Sequence, residues 1–252
     1  MHKDITAYHR SMDIKRFLDW LKNRHLNKET IRQYLAKFRS LSPHTYSKTL
    51  CSLRVFCREF LEAPYLVEGF RFPRKVFNPI IAPSKEEIKR LFNAFDLKYK
   101  ALLLMYCTTG LRTSKLLSLA FEDVDLEKRI VIPRKRSRTK NTWVTFFTLE
   151  SEKVLKEYLT TRNDNDNRLF PMKRRSVAKT FKKKGNDVGV HLIPKSLRNW
   201  FCCEMGELGV PDRYIDAFCG RVPKSVLARH YTDYSPERLK RIYDKANLKV
   251  LD

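Results

Sequence analysis

Glycine is scarce, at 7 of 252 residues. Neither a G-x-G-x-x-G fingerprint nor a G-x-x-x-x-G-K-[ST] loop occurs, so a backbone cradle for nucleotide phosphates is not expected. Long apolar runs are also missing. The longest, Ala101 to Cys107, is far short of the ~20 residues that cross a bilayer. The polar opening Met1 to Arg10 has no signal-peptide core, and no membrane partner is expected. The six cysteines, Cys51, Cys57, Cys107, Cys202, Cys203 and Cys219, include no C-x-x-C pair. Adjacent Cys202 and Cys203 point to different sides of a helix. Buried thiols in a reducing cytosol are therefore expected, not a zinc site. The six histidines form neither H-E-x-x-H nor a pair one turn apart. Nothing calls for a metal or another cofactor. Acidic residues are few as well: 28 Asp and Glu stand against 52 Lys and Arg, a net charge of +24.

Hydrophobic residues make up 42% of the chain and aromatics 12%. That is enough apolar surface to fold, and the length suits one large domain or two modest ones. Self-repulsion at this net charge gives the fold nothing, so the charge points to a polyanionic partner.

The first segment reads as three or four helices. Ser11 is a candidate cap for a helix bearing Ile14, Phe17, Leu18 and Leu21, and Asn27 for one bearing Ile31, Tyr34, Leu35 and Phe38. Ser42-Pro43 opens a long third helix with Tyr46, Leu50, Leu53, Cys57, Phe60 and Leu61 on its apolar side. Pro73, Pro79 and Pro83 mark an interdomain linker. Ser84 and Glu87 then form a capping box, followed by the apolar helix Leu97 to Cys107. Strands at Arg129–Arg134 and Thr142–Leu149 flank the basic connection Lys135 to Lys140 as a hairpin. Helices are expected near 151–161, 176–186, 195–208, 212–218, 224–230 and 236–246. The fold expected is mainly α with a small antiparallel sheet or hairpin, in two domains. Residues 1–75 hold 16 Lys/Arg and 7 Asp/Glu, and residues 76–252 hold 36 and 21, so both parts are basic. Two basic jaws around one nucleic acid explain that division better than one basic tail would.

Four segments of the second part stand out. Thr108-Thr109-Gly110-Leu111-Arg112 ends a helix on a glycine and presents an arginine. Arg138-Thr139-Lys140 lies on the hairpin. Lys195-Ser196-Leu197-Arg198 opens a helix after Pro194. Gly220-Arg221 and then His230-Tyr231-Thr232 lie near the C-terminus. Their order and separation resemble the tyrosine recombinase (phage integrase) family, along the whole chain and most of all the integrases of archaeal viruses and plasmids. Gly110-Leu111-Arg112 matches the family's first box. Lys195-Ser196-Leu197-Arg198 matches its His-x-Leu-Arg box with lysine for histidine, and Gly220-Arg221 its Gly-His with arginine for histidine. Both exchanges look like an archaeal variant. Lys115 stands where the family usually has Glu.

The resemblance implies a helical core-binding (SAM-like) DNA-binding domain at 1–75, a linker at 76–84 and a catalytic domain at 85–252. It implies cutting and rejoining of double-stranded DNA at attachment sites through a 3′-phosphotyrosyl intermediate, integrating and excising a mobile element. Tyr231 would be the nucleophile, and Arg112, Arg198, Arg221, Lys140 and Lys195 the catalytic cations. Four protomers would act on two DNA sites, with a monomer or weak oligomer off DNA, in a cytoplasmic, nucleoid-associated setting. The C-terminal helix, Pro236 to Ala246, would dock on a neighbouring protomer.

Elementary chemistry agrees with that set. Attack on a phosphodiester adds charge to its equatorial oxygens, and fixed guanidinium forks suit them. A cationic pocket also favours the phenolate form of a tyrosine. The leaving 5′ oxygen needs a proton, for which Lys140 is the candidate acid and Lys195 the helper. Lys48, Arg54 and Arg58 on the third helix, Arg134, Lys135, Arg136 and Arg138 on the hairpin, and Lys182 and Lys183 beyond it are candidate DNA contacts. So are the neighbouring Lys173, Arg174, Arg175, Lys179 and Lys184. Tyr234 is the rival nucleophile, whereas Tyr243 is expected to pack. Glu122, Asp123 and Asp125 read as an acidic turn before a strand rather than a metal cluster. Two other functions fit the same residues: a type IB topoisomerase-like nicking-closing enzyme, and a non-catalytic DNA-binding relic of the fold.

Overall fold

The computed structural model describes residues 2–39, 42–74, 79–134, 143–221, 223 and 225–252, with side chains from Arg10 onward. The chain divides into two compact units, Met1–Pro79 and Ile80–Asp252.

The first unit is helical. Helices α1 (His2–Leu21), α2 (Lys28–Arg39) and α3 (Pro43–Val55) pack around Phe17, Ile31, Leu35, Leu50 and Leu53. Asn27 caps α2 by accepting the Thr30 N–H at 2.8 Å, and Ser42 caps α3 through the Thr45 N–H at 3.0 Å. Two expectations need correction. Helix α1 runs back to His2, because no proline or glycine interrupts the stretch before Ser11. The third helix does not continue to Leu61 in α geometry. It widens into a π turn over Phe56–Phe60, closed by the Leu61 N–H on the Phe56 carbonyl at 3.0 Å. The wider turn rotates Phe60 off the apolar side; the residue is 76% exposed, with its ring stacked on Phe56.

The second unit is built around α5 (Leu97–Thr109), buried on every side from Ala101 to Thr109. A helix enclosed all round needs no polar stripe, which is why this one reads as a short apolar run. It is preceded by α4 (Lys85–Ala94), whose Ser84–Glu87 capping box is complete. Helices α7 (Leu149–Thr160) and α9 (Pro194–Glu207) pack against it. The remaining helices are α6 (Thr113–Leu116), α8 (Arg174–Asp187), α10 (Asp212–Phe218), α11 (Val226–His230) and α12 (Pro236–Ala246).

The sheet is a three-stranded antiparallel ladder, β1 (Val124–Asp125), β2 (Ile130–Val131) and β3 (Thr145–Phe146). Val124 opposes Val131, and Ile130 opposes Phe146. The pairing is thus shorter than the two strands expected and gains a third. Arg129 sits at φ 52°, and Pro133 has no N–H to continue a ladder. Helix α12 packs on its own unit. It buries Leu239, Tyr243 and Ala246, and the Tyr243 hydroxyl donates to the Thr108 carbonyl at 2.8 Å.

Candidate active site

Helix α5 stops at Gly110, which takes φ 62° and ψ 14°. Glycine is required there twice over. The left-handed backbone disfavours other residues, and a Cβ would lie 2.6 Å from the Phe201 ring and 2.9 Å from Cys219 Sγ. The turn buries Leu111 and delivers Arg112 in an extended conformation just ahead of α6. Arg112 Nη1 reaches the carbonyls of Cys219 and Gly220, both at 3.4 Å.

Pro194 starts α9, which leaves Lys195 exposed and turns Arg198 inward, 8% exposed. Arg198 donates to the Gly110 carbonyl at 2.6 Å and to the Cys219 carbonyl at 3.0 Å. One guanidinium therefore ties the turn after α5 to the turn after α10. Beyond that second turn, Arg221 pairs with Asp216 at 2.8 Å and donates to Cys202 Sγ at 3.4 Å.

These three segments and the start of α8 wall a cleft of about 410 Å³ lined by Arg112, Arg174, Lys195, Arg198 and Arg221, with Thr113, Ser114 and Asn199 among the polar groups between them. Burial, and then the charges of Arg112 and Arg221, draw the Arg198 guanidinium below the ordinary arginine range. Burial opposes the charge on Arg221 too, but Asp216 and the nearby sulfurs outweigh it and raise its pKa. Arginines at such positions remain cationic, so like charges are crowded into one cleft, and an anion bound there would relieve the repulsion.

Tyr231 does not line this cleft. It follows α11 directly and is 77% exposed. Tyr234, three residues on, turns inward and donates its hydroxyl to the Ala228 carbonyl at 2.7 Å. Trp143 Nε1 donates to the Tyr234 carbonyl at 3.2 Å, which joins the strand after the basic connection to the segment that carries Tyr231. Lys140, Lys135, Arg136 and Arg138 lie outside the described residues.

The other expected contacts are placed variously. Lys182 and Lys183 are exposed on α8, and Arg58 is exposed on the π turn. Lys48 is exposed and pairs with Asp13 at 3.4 Å. Arg54 turns into its own unit, donating to the Phe70 carbonyl and lying 4.4 Å over the Phe72 ring. Arg134 is ion-paired with Glu122. The neighbouring carboxylates serve local structure: Asp123 accepts the N–H groups of Ala120 and Arg134, and Asp125 accepts that of Lys128. The sequence pattern gave no individual place in the cleft to Thr113, Ser114 or Asn199, and it read Arg174 as a generic phosphate contact. Thr113 and Ser114 follow Arg112 and Asn199 follows Arg198, and that adjacency is the available signal; Arg174, on α8, has none.

Residues 83–238 match the phage integrase family. Tyrosine recombinase XerA of Pyrococcus horikoshii is 29% identical to this chain, covering 93% of each. XerA of Thermococcus kodakarensis is 27% identical, over 93% of this chain and 86% of that one. Among solved structures, the XerA recombinase crystal structure aligns with a TM-score of 0.52 at 19% identity, covering 97% of this chain and 92% of that one. A lambda integrase dimer bound to a COC′ core site aligns with a TM-score of 0.69 at 12% identity, covering 88% and 89%. At such identities the structures speak for the fold. The matched segment spans more than half of the sequence and includes both arginine-bearing turns, α9 and Tyr231, and on that ground the chain belongs to the phage integrase family.

Proposed function

We propose that this protein is a site-specific tyrosine recombinase that cuts and rejoins double-stranded DNA through a 3′-phosphotyrosyl intermediate, moving a mobile element in and out of its host DNA. One observation carries this reading: Arg112, Arg198 and Arg221 come from three separate segments and converge on one cleft. Such a cluster has little purpose without an anion. A phosphodiester in the cleft would place its non-bridging oxygens among guanidinium forks that need no reorganisation during attack, each such donor being worth about 3–4 kcal/mol. Arg198 is preorganised by the Gly110 and Cys219 carbonyls, and Arg221 by Asp216.

In the proposed reaction the Tyr231 oxygen attacks phosphorus, and the 5′ oxygen leaves with a proton from Lys140, assisted by Lys195. Tyr231 stands outside the cleft here, so DNA binding or a neighbouring protomer must bring the ring to the phosphate. Tyr234 is the weaker candidate because its hydroxyl is already committed to Ala228. The ester conserves the bond energy, so rejoining needs no nucleotide, and the arginines take the charge-stabilising role that metal ions hold in two-metal nucleases. Residues 1–75 act as a DNA-binding domain joined by 76–84 to the catalytic domain, and four protomers assemble on two sites in the cytoplasm, on the nucleoid.

The test uses two duplexes bearing one attachment site, with a supercoiled plasmid as comparison. Strand exchange between the duplexes is expected. Relaxation of the plasmid without exchange would give the topoisomerase-like reading instead, and DNA binding with no covalent chemistry would leave only a DNA-binding protein.

A further inference from the structure

Cys202, on α9, and Cys219, at the end of α10, are 17 residues apart in sequence, yet their sulfurs lie 3.4 Å apart. Neither sulfur is remote from the arginine cleft. Cys202 Sγ accepts from Arg221 Nη2 at 3.4 Å, and the Cys219 carbonyl accepts from both Arg198 and Arg112. Cys202 is partly exposed, whereas Cys219 is fully buried. We propose that Cys202 and Cys219 form a dithiol oxidised by hydroperoxides, and that the resulting disulfide switches off the arginine site. The first half stands on the sulfur geometry; the second rests on the reading of that site as the cleavage centre.

The two sulfurs are unequal in a way that sets the order of events. The hydrogen bond from Cys219, and then the charges of Arg221 and Arg198, hold the Cys202 thiol below the usual thiol range. The same hydrogen bond, reinforced by burial, pushes Cys219 above it. The thiolate is the reactive form, so Cys202 attacks first. Its sulfur takes one oxygen from the hydroperoxide and becomes a sulfenic acid, and for hydrogen peroxide the other oxygen leaves as water. Cys219 sulfur then attacks the sulfenic sulfur, the S–S bond forms and a second water departs. Two thiols have lost two electrons and two protons, and one peroxide has been reduced to two waters. A dithiol reductant reverses the change.

The structural consequence follows from distance. A disulfide holds its sulfurs at about 2.05 Å, so the pair must close by roughly 1.3 Å from its present separation. That draws on the Cys219 main chain, whose carbonyl seats Arg198 and Arg112, and it alters the sulfur acceptor beside Arg221. The adjacent Cys203 is a poorer reactant, because burial and the neighbouring Cys202 raise its thiol pKa. Sequence spacing hides the pair, since only the packing of α10 against α9 brings the sulfurs together.

The experiment treats the full-length reduced protein with hydrogen peroxide, alkylates remaining thiols, digests it and maps linked peptides by mass spectrometry. Cleavage of a nicked duplex is measured before oxidation, after it, and after dithiothreitol. A Cys202–Cys219 linked peptide is expected, with cleavage falling at least about tenfold and returning on reduction; loss of a single preorganised donor alone is worth about 10²–10³. The ratio of oxidised to reduced cleavage should stay near one in Cys202→Ala and in Cys219→Ala, while Cys203→Ser should respond as wild type does. A Cys202–Cys203 or intermolecular link, or no link at all, overturns the proposal. So does a wild-type protein that forms the Cys202–Cys219 link and cleaves as before. If the buried Cys219→Ala change prevents folding, Cys202→Ala and the wild-type peptide map decide. A reduced wild-type protein that never cleaves DNA would count against the recombinase reading, while the linked peptide would still decide the dithiol.

Discussion

Gly110→Ala isolates the turn on which the cleft depends. An alanine at φ 62° gives up about 1–2 kcal/mol to its left-handed backbone. Its Cβ would also sit 2.6 Å from the Phe201 ring and 2.9 Å from Cys219 Sγ, and Phe201 and Cys219 are both fully buried. Overpacking of this kind costs about 1–3 kcal/mol, so the variant should lose between about 2 and 5 kcal/mol in all. Gly189→Ala supplies the reference. It has φ 67° but nothing within 4 Å of a new Cβ, so only the backbone loss of about 1–2 kcal/mol applies. Urea unfolding of the three proteins gives the comparison. In the Gly110 variant that remains folded, cleavage should fall further than stability explains, because the Gly110 carbonyl accepts from Arg198. Equal losses in the two variants, or full cleavage in Gly110→Ala, would refute the claim that this turn is sterically closed and seats the arginine.

Lys140→Ala should slow cleavage of ordinary DNA by roughly 10²–10⁴, the usual scale of general-acid catalysis, and recover most of that on a 5′-bridging phosphorothiolate, whose sulfur leaves without a proton. Rescue seen instead with Lys135→Ala or Lys195→Ala would move the role. A fragment of residues 80–252, which contains its own hydrophobic core, should keep the chemistry but bind its site more weakly and with a shallower salt dependence than the full chain. Equal affinity at equal salt would deny the first unit its proposed part in binding.

Much of this arrangement is visible in the residues. The Ser84–Glu87 box, Ser42-Pro43 and Asn27 mark helix starts because capping is local chemistry, settled within three residues. Gly110-Leu111-Arg112 announces its turn for the same reason. What escapes the sequence depends on packing between distant segments. The π turn at Phe56–Phe60 exposes a phenylalanine that helical spacing places inside. Arg54 reads as a surface cation until Phe70 and Phe72 fold back over it. Strand β1 is hidden in an acidic stretch, since its pairing with β2 is fixed by the turn between them and not by alternation. The sulfur contact of Cys202 and Cys219 has no spacing signature at all. Nor does any pattern tell that Tyr231 lies outside the arginine cleft, because residue identity assigns a role without a position.

The central claim is covalent catalysis by Tyr231 at the arginine cleft. A nicked duplex that releases its short cleaved strand traps the intermediate, and peptide mapping of the trapped protein identifies the linked residue. The account predicts a 3′-phosphate ester on Tyr231 in the wild-type protein and in Tyr234→Phe, and none in Tyr231→Phe, which should still bind the DNA. An adduct of wild-type strength in Tyr231→Phe, or a phosphate mapped to Tyr234, would contradict it.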